Sequence, residues 1–272
     1  MASNNSGTED QALISVRSYI LVLAVAIMLV SWAGPWINKS YKNYTIHYQV
    51  VDKKNKKEYI RLINKGIQSV EHFFGEPFKK KFDIYILPDR ESFNEQWRND
   101  YKDPGFKSEC WMVASGVANK FILISPKTWS KFACEHDYKN MDESNQLVTH
   151  ELVHVFHGQL NPSPDFSDVE GIDWLVEGMA TYASGQMHSS RIAEIKNAIS
   201  ENKVPLVLDE FWKGKLKYAL SGSVMMYIDH LYGRNKLKEL LSYNKKTDVL
   251  KSLNTTEAQL LSGWKNYFAL YK

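Results

Sequence analysis

The sequence contains little cysteine, proline and glycine, and its charges nearly cancel. Its 272 residues include 2 cysteines, 8 prolines and 14 glycines, and 34 basic against 31 acidic side chains leave a formal net charge of +3. Two cysteines without a CxxC spacing exclude a zinc knuckle and a disulfide-built scaffold. So little proline and glycine excludes collagen and low-complexity disorder, and so small a charge excess predicts no nucleic-acid partner.

The sequence does contain enough apolar material for a globular core. Hydrophobic residues make up 44% of the chain and charged residues 24%, which is typical of one ordinary domain or two small ones. Cys110 and Cys134 bracket a predicted strand. One disulfide between them is therefore expected in an oxidising compartment, with two buried thiols as the alternative.

The N-terminal region carries a long uncharged stretch. No charged residue occurs between Arg17 and Lys39, and a helix of that length reaches about 30 Å, enough to cross the hydrocarbon core of a bilayer. We predict a short tail over 1–18 and a signal-anchor or transmembrane helix over 19–36. A cleaved signal peptide is the alternative, because small residues near the end of the stretch suit a signal peptidase.

The flanking charges weakly favour the opposite membrane orientation, since the lysines follow the segment. Large domains translocate largely regardless of such charges. We therefore expect a single-pass membrane protein whose main part lies outside the cytoplasm, or a secreted protein if the segment is cleaved.

Hydrophobic periodicity divides the remaining chain into a small α+β lobe over 40–138 and a mostly helical lobe over 139–272. Strands are predicted at 44–50, 82–87 and 121–125, and helices at 58–74, 89–97, 142–158, 173–184, 189–201, 217–232 and 234–242. The predicted fold class is α+β, with the active site in the cleft between the lobes.

The helix predicted at 142–158, with Asp142 as its cap, carries the sequence His-Glu-Leu-Val-His from His150 to His154. Residues four apart on a helix lie about 40° apart on one face, so these two imidazoles can bind one zinc ion. Glu151 stands beside them, where a carboxylate can act on a zinc-bound water. The alternative is two hydrogen-bonded core histidines next to an exposed glutamate.

A catalytic zinc site needs a third protein ligand. The downstream candidates are His157, Asp165, Asp168, Glu170, Asp173 and Glu177. His157 points away from the bisector of the first pair, and residues 161–171 (NPSPDFSDVEG) are typical of a surface loop. Glu177 lies among apolar residues of a short amphipathic helix, where an unpaired carboxylate is costly to bury. We therefore predict Glu177 as the third ligand.

Two separately spaced blocks resemble the zinc core of the gluzincin metallopeptidases, especially the aminopeptidase branch and its small peptidase MA-like relatives. The matching residues are His150, Glu151, Leu152, His154, Phe156, Gly158, Leu160, Trp174, Leu175, Glu177, Gly178 and Ala180. The resemblance covers about 35 residues closely and implies a thermolysin-like α+β fold with an edge strand beside the zinc. The later stretch from Tyr218 to Leu241 also resembles the helix that closes the site in the small relatives.

The resemblance implies that zinc is bound by His150, His154 and Glu177. It further implies that Glu151 is the general base for the metal-bound water and then the proton donor to the leaving amine. A Tyr or His across the cleft usually stabilises the oxyanion in these families. Tyr218 is the candidate for this role, with Tyr227 and His230 behind it and a packed aromatic residue as the alternative for each.

The sequence departs from the aminopeptidases in two places. The interval between His154 and Glu177 is longer, in the proline-rich loop at 161–170. The segment corresponding to the amine-binding Gly-x-Met-Glu-Asn motif is Gly116-Val117-Ala118-Asn119, which has no carboxylate. The longer loop is an insertion of low energetic cost, whereas the missing carboxylate disfavours an aminopeptidase. An edge strand beside the zinc can still bind an extended peptide, as in endopeptidases.

The sequence therefore predicts a membrane-anchored or exported zinc peptidase that acts on peptide or protein substrates, with an endopeptidase favoured over an aminopeptidase. One alternative is a non-catalytic, membrane-tethered binding or scaffold protein that retains a gluzincin fold. Another is a zinc hydrolase acting on a non-peptide bond, since the fold and the metal do not fix the substrate.

Overall fold

The computed structural model describes residues 35–271. The predicted tail and the predicted membrane segment lie outside these residues, apart from the last two positions of that segment. Within the described range, no helix combines the length and the apolar character that crossing a bilayer requires. Trp36 belongs to a strand, so the prediction of a helix extending to this residue is wrong.

The N-terminal lobe is built on a five-stranded mixed sheet. Its strands are β1 (Trp36–Ser40), β2 (Tyr44–Gln49), β3 (Phe82–Leu87), β4 (Ala114–Val117) and β5 (Lys120–Ile124). Their order is β1-β2-β3-β5-β4, with a parallel centre and an antiparallel strand at each edge. The sequence did not predict β1, because this exposed edge strand is polar and lacks the alternation of buried side chains that marks β2 and β3.

Three helices complete this lobe: α1 (Lys56–Phe74), α2 (Arg90–Tyr101) and α3 (Trp129–Phe132). Apolar side chains at helical spacing bury one face of α1. The carboxylate of Asp89 accepts a hydrogen bond from the backbone N–H of Ser92 and so caps α2. The predicted starts of both helices therefore agree closely with the structure.

The C-terminal lobe is helical, as predicted. Its helices are α4 (Met141–Leu160), α5 (Asp173–Ala183), α6 (Ser189–Ser200), α7 (Lys217–Tyr232), α8 (Arg234–Glu239), α9 (Lys246–Ser252) and α10 (Glu257–Leu270). The prediction that Asp142 caps α4 is wrong. Asn140 is the cap, because its side chain accepts from the backbone N–H of Glu143, while Asp142 is exposed in the first turn. Helices α9 and α10 extend the lobe beyond the predicted segments.

The two lobes share one continuous core that crosses the predicted boundary near residue 138. Helix α4 is the central element, because it contacts α1, the edge strand β4 and α5. Its C-terminal half is buried nearly all round, from Val148 to Gly158. This burial holds the helix rigidly between the sheet and the other helices, so a site on α4 is built on a fixed support.

A disulfide joins Cys110 to Cys134, as expected for an oxidising compartment. Both residues are exposed, so the alternative of two buried thiols is wrong. The guanidinium of Arg90 donates hydrogen bonds to the carbonyl oxygens of Cys110, Met112 and Phe132. Together these contacts tie the segment before β4 to the end of α3.

Candidate metal centre and active-site cleft

Three side chains from two helices converge on one point. The Nε2 atoms of His150 and His154 on α4 lie 3.2 Å apart. The Oε2 atom of Glu177 on α5 lies 3.4 Å from Nε2 of His150 and 3.6 Å from Nε2 of His154. Within the described residues this is the group of donor atoms whose spacing can hold a metal ion.

The spacing and chemistry of the three donors fit a zinc ion. Ligand atoms about 2.0–2.1 Å from zinc in a tetrahedron lie about 3.3–3.4 Å from one another, close to the separations of His150, His154 and Glu177. Two imidazoles and one carboxylate form a ligand set of catalytic zinc sites. The histidine side chains are 9% exposed and that of Glu177 is 25% exposed, so the group is open to solvent on one side.

Close helix packing holds Glu177 in place. The next residue, Gly178, lies against α7, and a Cβ atom there would come within 2.4 Å of the carbonyl oxygen of Ser221. The indole Nε1 of Trp174 donates to the carbonyl oxygen of Gly171 and fixes the start of α5. Because glycine allows α5 and α7 to touch, the glutamate one residue earlier faces α4 at a fixed distance.

The electrostatics of the group favour an ionised carboxylate. Burial acts to raise the pKa of Glu177, but the two imidazoles outweigh it, and the pKa is held well below its usual range. Burial acts to lower the pKa of His154, but the adjacent Glu177 outweighs it, and this pKa is raised. Charge complementarity therefore holds the ionised carboxylate of Glu177 against the two imidazoles.

Glu151 lies where the edge strand touches α4. A Cβ atom on Gly116 of β4 would lie 2.2 Å from the backbone carbonyl oxygen of Glu151, so only glycine permits this approach. The Glu151 carboxylate also lies close to the backbone N–H of Gly116. Burial raises the pKa of Glu151 above its ordinary value, although the two histidines act in the opposite direction. A raised pKa makes this carboxylate a stronger base than an ordinary glutamate, which suits a general base.

Tyr218, near the start of α7, lies across the cleft from α4. The centroid of its ring is 6.1 Å from that of His150. Burial raises the pKa of the Tyr218 phenol, and the carboxylates of Glu177 and Glu151 raise it further. The hydroxyl therefore stays protonated and can donate a hydrogen bond into the cleft.

Tyr227 and His230 lie elsewhere. Their rings contact Tyr267 of α10, with centroids 5.6 Å and 4.7 Å away. Nine positions along a helix turn the side chain by about 180°, so Tyr227 faces away from Tyr218. Of these three candidates, only Tyr218 therefore lies at the cleft.

The other downstream candidates do not join the metal group. His157 is fully buried, and burial lowers its pKa to about 3. Glu170 pairs with Lys245, while Asp165 and Asp173 line the cleft without reaching the ligand atoms. Asp168 is exposed in the loop.

Sequence reasoning missed Gln186, which follows α5. Its Oε1 atom lies 3.1 Å from Nδ1 of His150, so it can accept a hydrogen bond from the N–H of that ring. Such a contact fixes the tautomer that presents Nε2 of His150 to a metal ion. No spacing rule identifies Gln186, because its approach to His150 depends on how α5 packs against α4.

The loop at 161–170 also contributes to the site. The ring of Phe166 lies edge-on to His154 and His157, with centroids 6.1 Å and 5.0 Å away. The carbonyl oxygen of Pro164 accepts a hydrogen bond from the backbone N–H of Ala118, just after β4. The loop is at the surface, as predicted, and it also forms one wall of the cleft.

Comparison with known proteins supports the fold and not a specific activity. No family model matches the chain, and no curated protein matches it. The structure of native yeast LTA4 hydrolase matches with a TM-score of 0.50 at 15% sequence identity, covering 87% of this chain and 39% of that one. A structure of yeast LTA4 hydrolase in complex with bestatin matches with a TM-score of 0.46 at 12% identity, covering 88% and 38%.

This chain therefore spans well under half the length of the LTA4 hydrolase chains that it matches. It has the mixed α+β fold of the matched part of LTA4 hydrolase, in agreement with the fold class expected from the sequence. At this level of identity the likeness defines the fold alone.

Proposed function

We propose that this chain is a zinc-dependent peptidase of the gluzincin type and that it acts as an endopeptidase. The observation that carries the proposal is the convergence of the ligand atoms of His150, His154 and Glu177 within 4.8 Å of one another. Glu151 lies next to this group, in a cleft against the edge strand β4. A metal centre, an adjacent carboxylate and a strand that can bind a peptide are the parts that peptide hydrolysis requires.

In this proposal His150, His154 and Glu177 hold the zinc ion, and Gln186 orients the ring of His150. When bound, zinc supplies Lewis-acid chemistry: it polarises a substrate carbonyl and increases the acidity of water. Glu151 takes a proton from the attacking water and then delivers it to the nitrogen of the leaving amine. Its raised pKa supports the first transfer, because a more basic carboxylate accepts a proton more readily.

The edge of β4 is the proposed binding surface for the substrate backbone. Within the described residues only one side of β4 pairs with another strand, β5, so an extended peptide can add to the free side by main-chain hydrogen bonds. The segment from Ala114 to Asn119 has no carboxylate to hold a free amine. This absence supports an endopeptidase over an aminopeptidase.

Cleavage mapping tests the proposed activity. The zinc-loaded full chain is incubated with a proteome-derived peptide mixture, and the products are identified by mass spectrometry. We expect internal cuts that a zinc chelator abolishes and that added zinc restores. Removal of single N-terminal residues would instead support an aminopeptidase. No cleavage by a zinc-loaded, folded chain would support the non-catalytic scaffold or a non-peptide substrate.

Tyr218→Phe is expected to lower kcat about 100-fold or more, because it removes one hydrogen-bond donor to the developing oxyanion. The zinc content should not change, since Tyr218 is not one of the ligands. Tyr227→Phe is the matched control: it removes a hydroxyl from the opposite face of the same helix and should leave kcat unchanged. Equal activity of the two variants would show that Tyr218 is a packing residue.

We also propose that the chain is anchored in a membrane by its N-terminal segment, with the catalytic part outside the cytoplasm. The exposed Cys110–Cys134 disulfide supports this location, because exposed disulfides persist in oxidising compartments and are reduced in the cytosol. Protease treatment of intact cells tests the orientation: loss of the 31.4 kDa chain without cell lysis is expected, and full protection would contradict it.

A further inference from the structure

Two pockets of different character meet at the candidate metal centre. One, here called the apolar pocket, has a volume of about 420 Å³ and includes Trp97, Tyr101, Phe166 and Val176. The other, here called the basic pocket, has a volume of about 380 Å³ and includes Arg191, Lys215 and Lys217. The two pockets share His150, Glu151 and Tyr218, so a substrate positioned at the metal centre can extend into both.

The cations of the basic pocket lie close to the site. The guanidinium of Arg191 lies 5.4 Å from the centre of the Tyr218 ring, and the ammonium of Lys217 lies 5.2 Å from it. Lys217 is also 4.9 Å and 4.5 Å from the ring centres of Trp111 and Trp212. Three aromatic rings therefore hold the ammonium at the pocket wall.

Neither Arg191 nor Lys217 has a carboxylate partner within the described residues. Arg191 donates one hydrogen bond, to the backbone carbonyl oxygen of Gln186. The acidic residues that line the basic pocket are Glu151 and the exposed Glu135. Two half-buried cations without ion pairs, beside a reactive centre, are suited to bind an anionic group of a ligand.

The direction of β4 indicates which end of a peptide enters the basic pocket. Val113, just before β4, lines the basic pocket, Ala114 lines both pockets, and Gly116 and Val117 line the apolar pocket. The strand therefore runs from the basic to the apolar side. A peptide that adds to β4 antiparallel, the more stable pairing, runs the opposite way. Its C-terminal part therefore lies in the basic pocket and its N-terminal part in the apolar pocket.

The distances limit where the anionic group can sit in the peptide. The Tyr218 ring is 6.1 Å from the His150 ring and about as close to the two cations. One residue of an extended strand spans about 3.3 Å. A group bound in the basic pocket therefore lies within about three residues of the bond held at the metal centre.

We propose that the basic pocket binds a carboxylate of the substrate, on the C-terminal side of the scissile bond, through Lys217 and Arg191. This inference rests on the proposed peptidase function and adds a specificity to it. Two sources offer the same chemistry: the free C-terminus of a short peptide, or an aspartate or glutamate side chain within three residues of the bond.

Equilibrium binding tests the inference without turnover. The probes are four N-acetylated alanine pentapeptides with one central phenylalanine. Two end in alanine, one with a free carboxylate and one with an amide. The other two both end in an amide, one with glutamate and one with glutamine as the last residue. Binding is followed by tryptophan fluorescence in the zinc-loaded Glu151→Gln variant, because Trp111 and Trp212 contact Lys217. We expect about 10-fold tighter binding of the free-acid form, of the glutamate form, or of both, than of their neutral counterparts.

Second-site variants in the Glu151→Gln background assign the preference to Lys217. Lys217→Met should reduce the preference for the charged peptides to less than about 2-fold, and Lys217→Arg should retain it. Lys213→Met is the control: it removes a surface lysine that pairs with Glu210 and should not change the preference. The form that shows the preference identifies the source of the carboxylate. Equal binding of charged and neutral peptides would overturn the inference.

The outcome for the wild type separates this inference from the proposed function. If the charged peptides bind more tightly but the wild-type chain cleaves no peptide, the proposed peptidase activity is wrong and the proposed carboxylate site is supported. If the wild-type chain cleaves peptides but binds charged and neutral forms equally, the peptidase activity is supported and the carboxylate site is wrong. The preference should also appear in KM more than in kcat, since Lys217 acts on binding and does not touch the reacting atoms.

Discussion

Glu151→Gln is expected to lower the rate of peptide hydrolysis by about 100-fold to about 10⁴-fold, the range that a positioned general base contributes. The amide has the same shape as the carboxylate, so it preserves the contact with β4, but it cannot accept the proton of the attacking water. Zinc content and the unfolding midpoint should be unchanged. The measurement is kcat/KM on a peptide identified by cleavage mapping, together with metal analysis of the same sample.

The matched control for this variant is Glu143→Gln, which removes a carboxylate from the exposed first turn of the same helix, α4. It should retain full activity. Retained activity in Glu151→Gln would show that another group takes the proton. Loss of both zinc and activity would show that Glu151 supports the structure of the metal centre instead of acting as a base.

Glu177→Gln is expected to weaken zinc binding by at least about 100-fold. It removes one of three ligands and the negative charge that balances the cation. Even the loss of a residue that only hydrogen-bonds to a metal ligand lowers metal affinity or activity 10- to 100-fold. Added zinc should stabilise the wild type against urea, because a ligand that binds only the folded state stabilises that state. The variant should show no such stabilisation at the same zinc concentration. Affinity is measured by competition with a fluorescent chelator.

Asp173→Asn controls for the loss of charge near the site. Asp173 lies one turn before Glu177 on α5, lines the same cleft and is not part of the ligand group. Its substitution removes the same charge and should leave zinc affinity within about 3-fold of the wild type. Equal weakening by both substitutions would show that the general negative potential of the cleft, and not coordination by Glu177, governs binding.

Local patterns in the sequence predicted most of the elements that build the cleft. The strand at 82–87 and the helix at 217–232 have the predicted bounds, because their apolar spacing reflects faces that are buried. Glu177 was singled out because a carboxylate among apolar neighbours needs a cation, and the structure places it against both imidazoles. These features depend on a few residues close together in the chain.

The features that were missed depend on contacts between distant segments. Gln186 reaches His150 only because α5 folds back against α4. Arg191 and Lys217 belong to different helices, and the packing of these helices places both cations next to the ring of Tyr218. The edge strand β1 is polar, so it has no apolar alternation, and its place is set by pairing with β2. Local periodicity contains none of this information.

The most direct test of the central claim is the metal content of the full chain, purified in detergent and analysed by mass spectrometry after zinc is supplied and excess metal is removed. We expect one zinc per chain in the wild type and in Asp173→Asn, and nearly none in Glu177→Gln. A folded, monodisperse wild-type chain without zinc would show that His150, His154 and Glu177 do not form a zinc site. The histidines of α4 would then be core residues, and a non-catalytic scaffold would be the better interpretation of this fold.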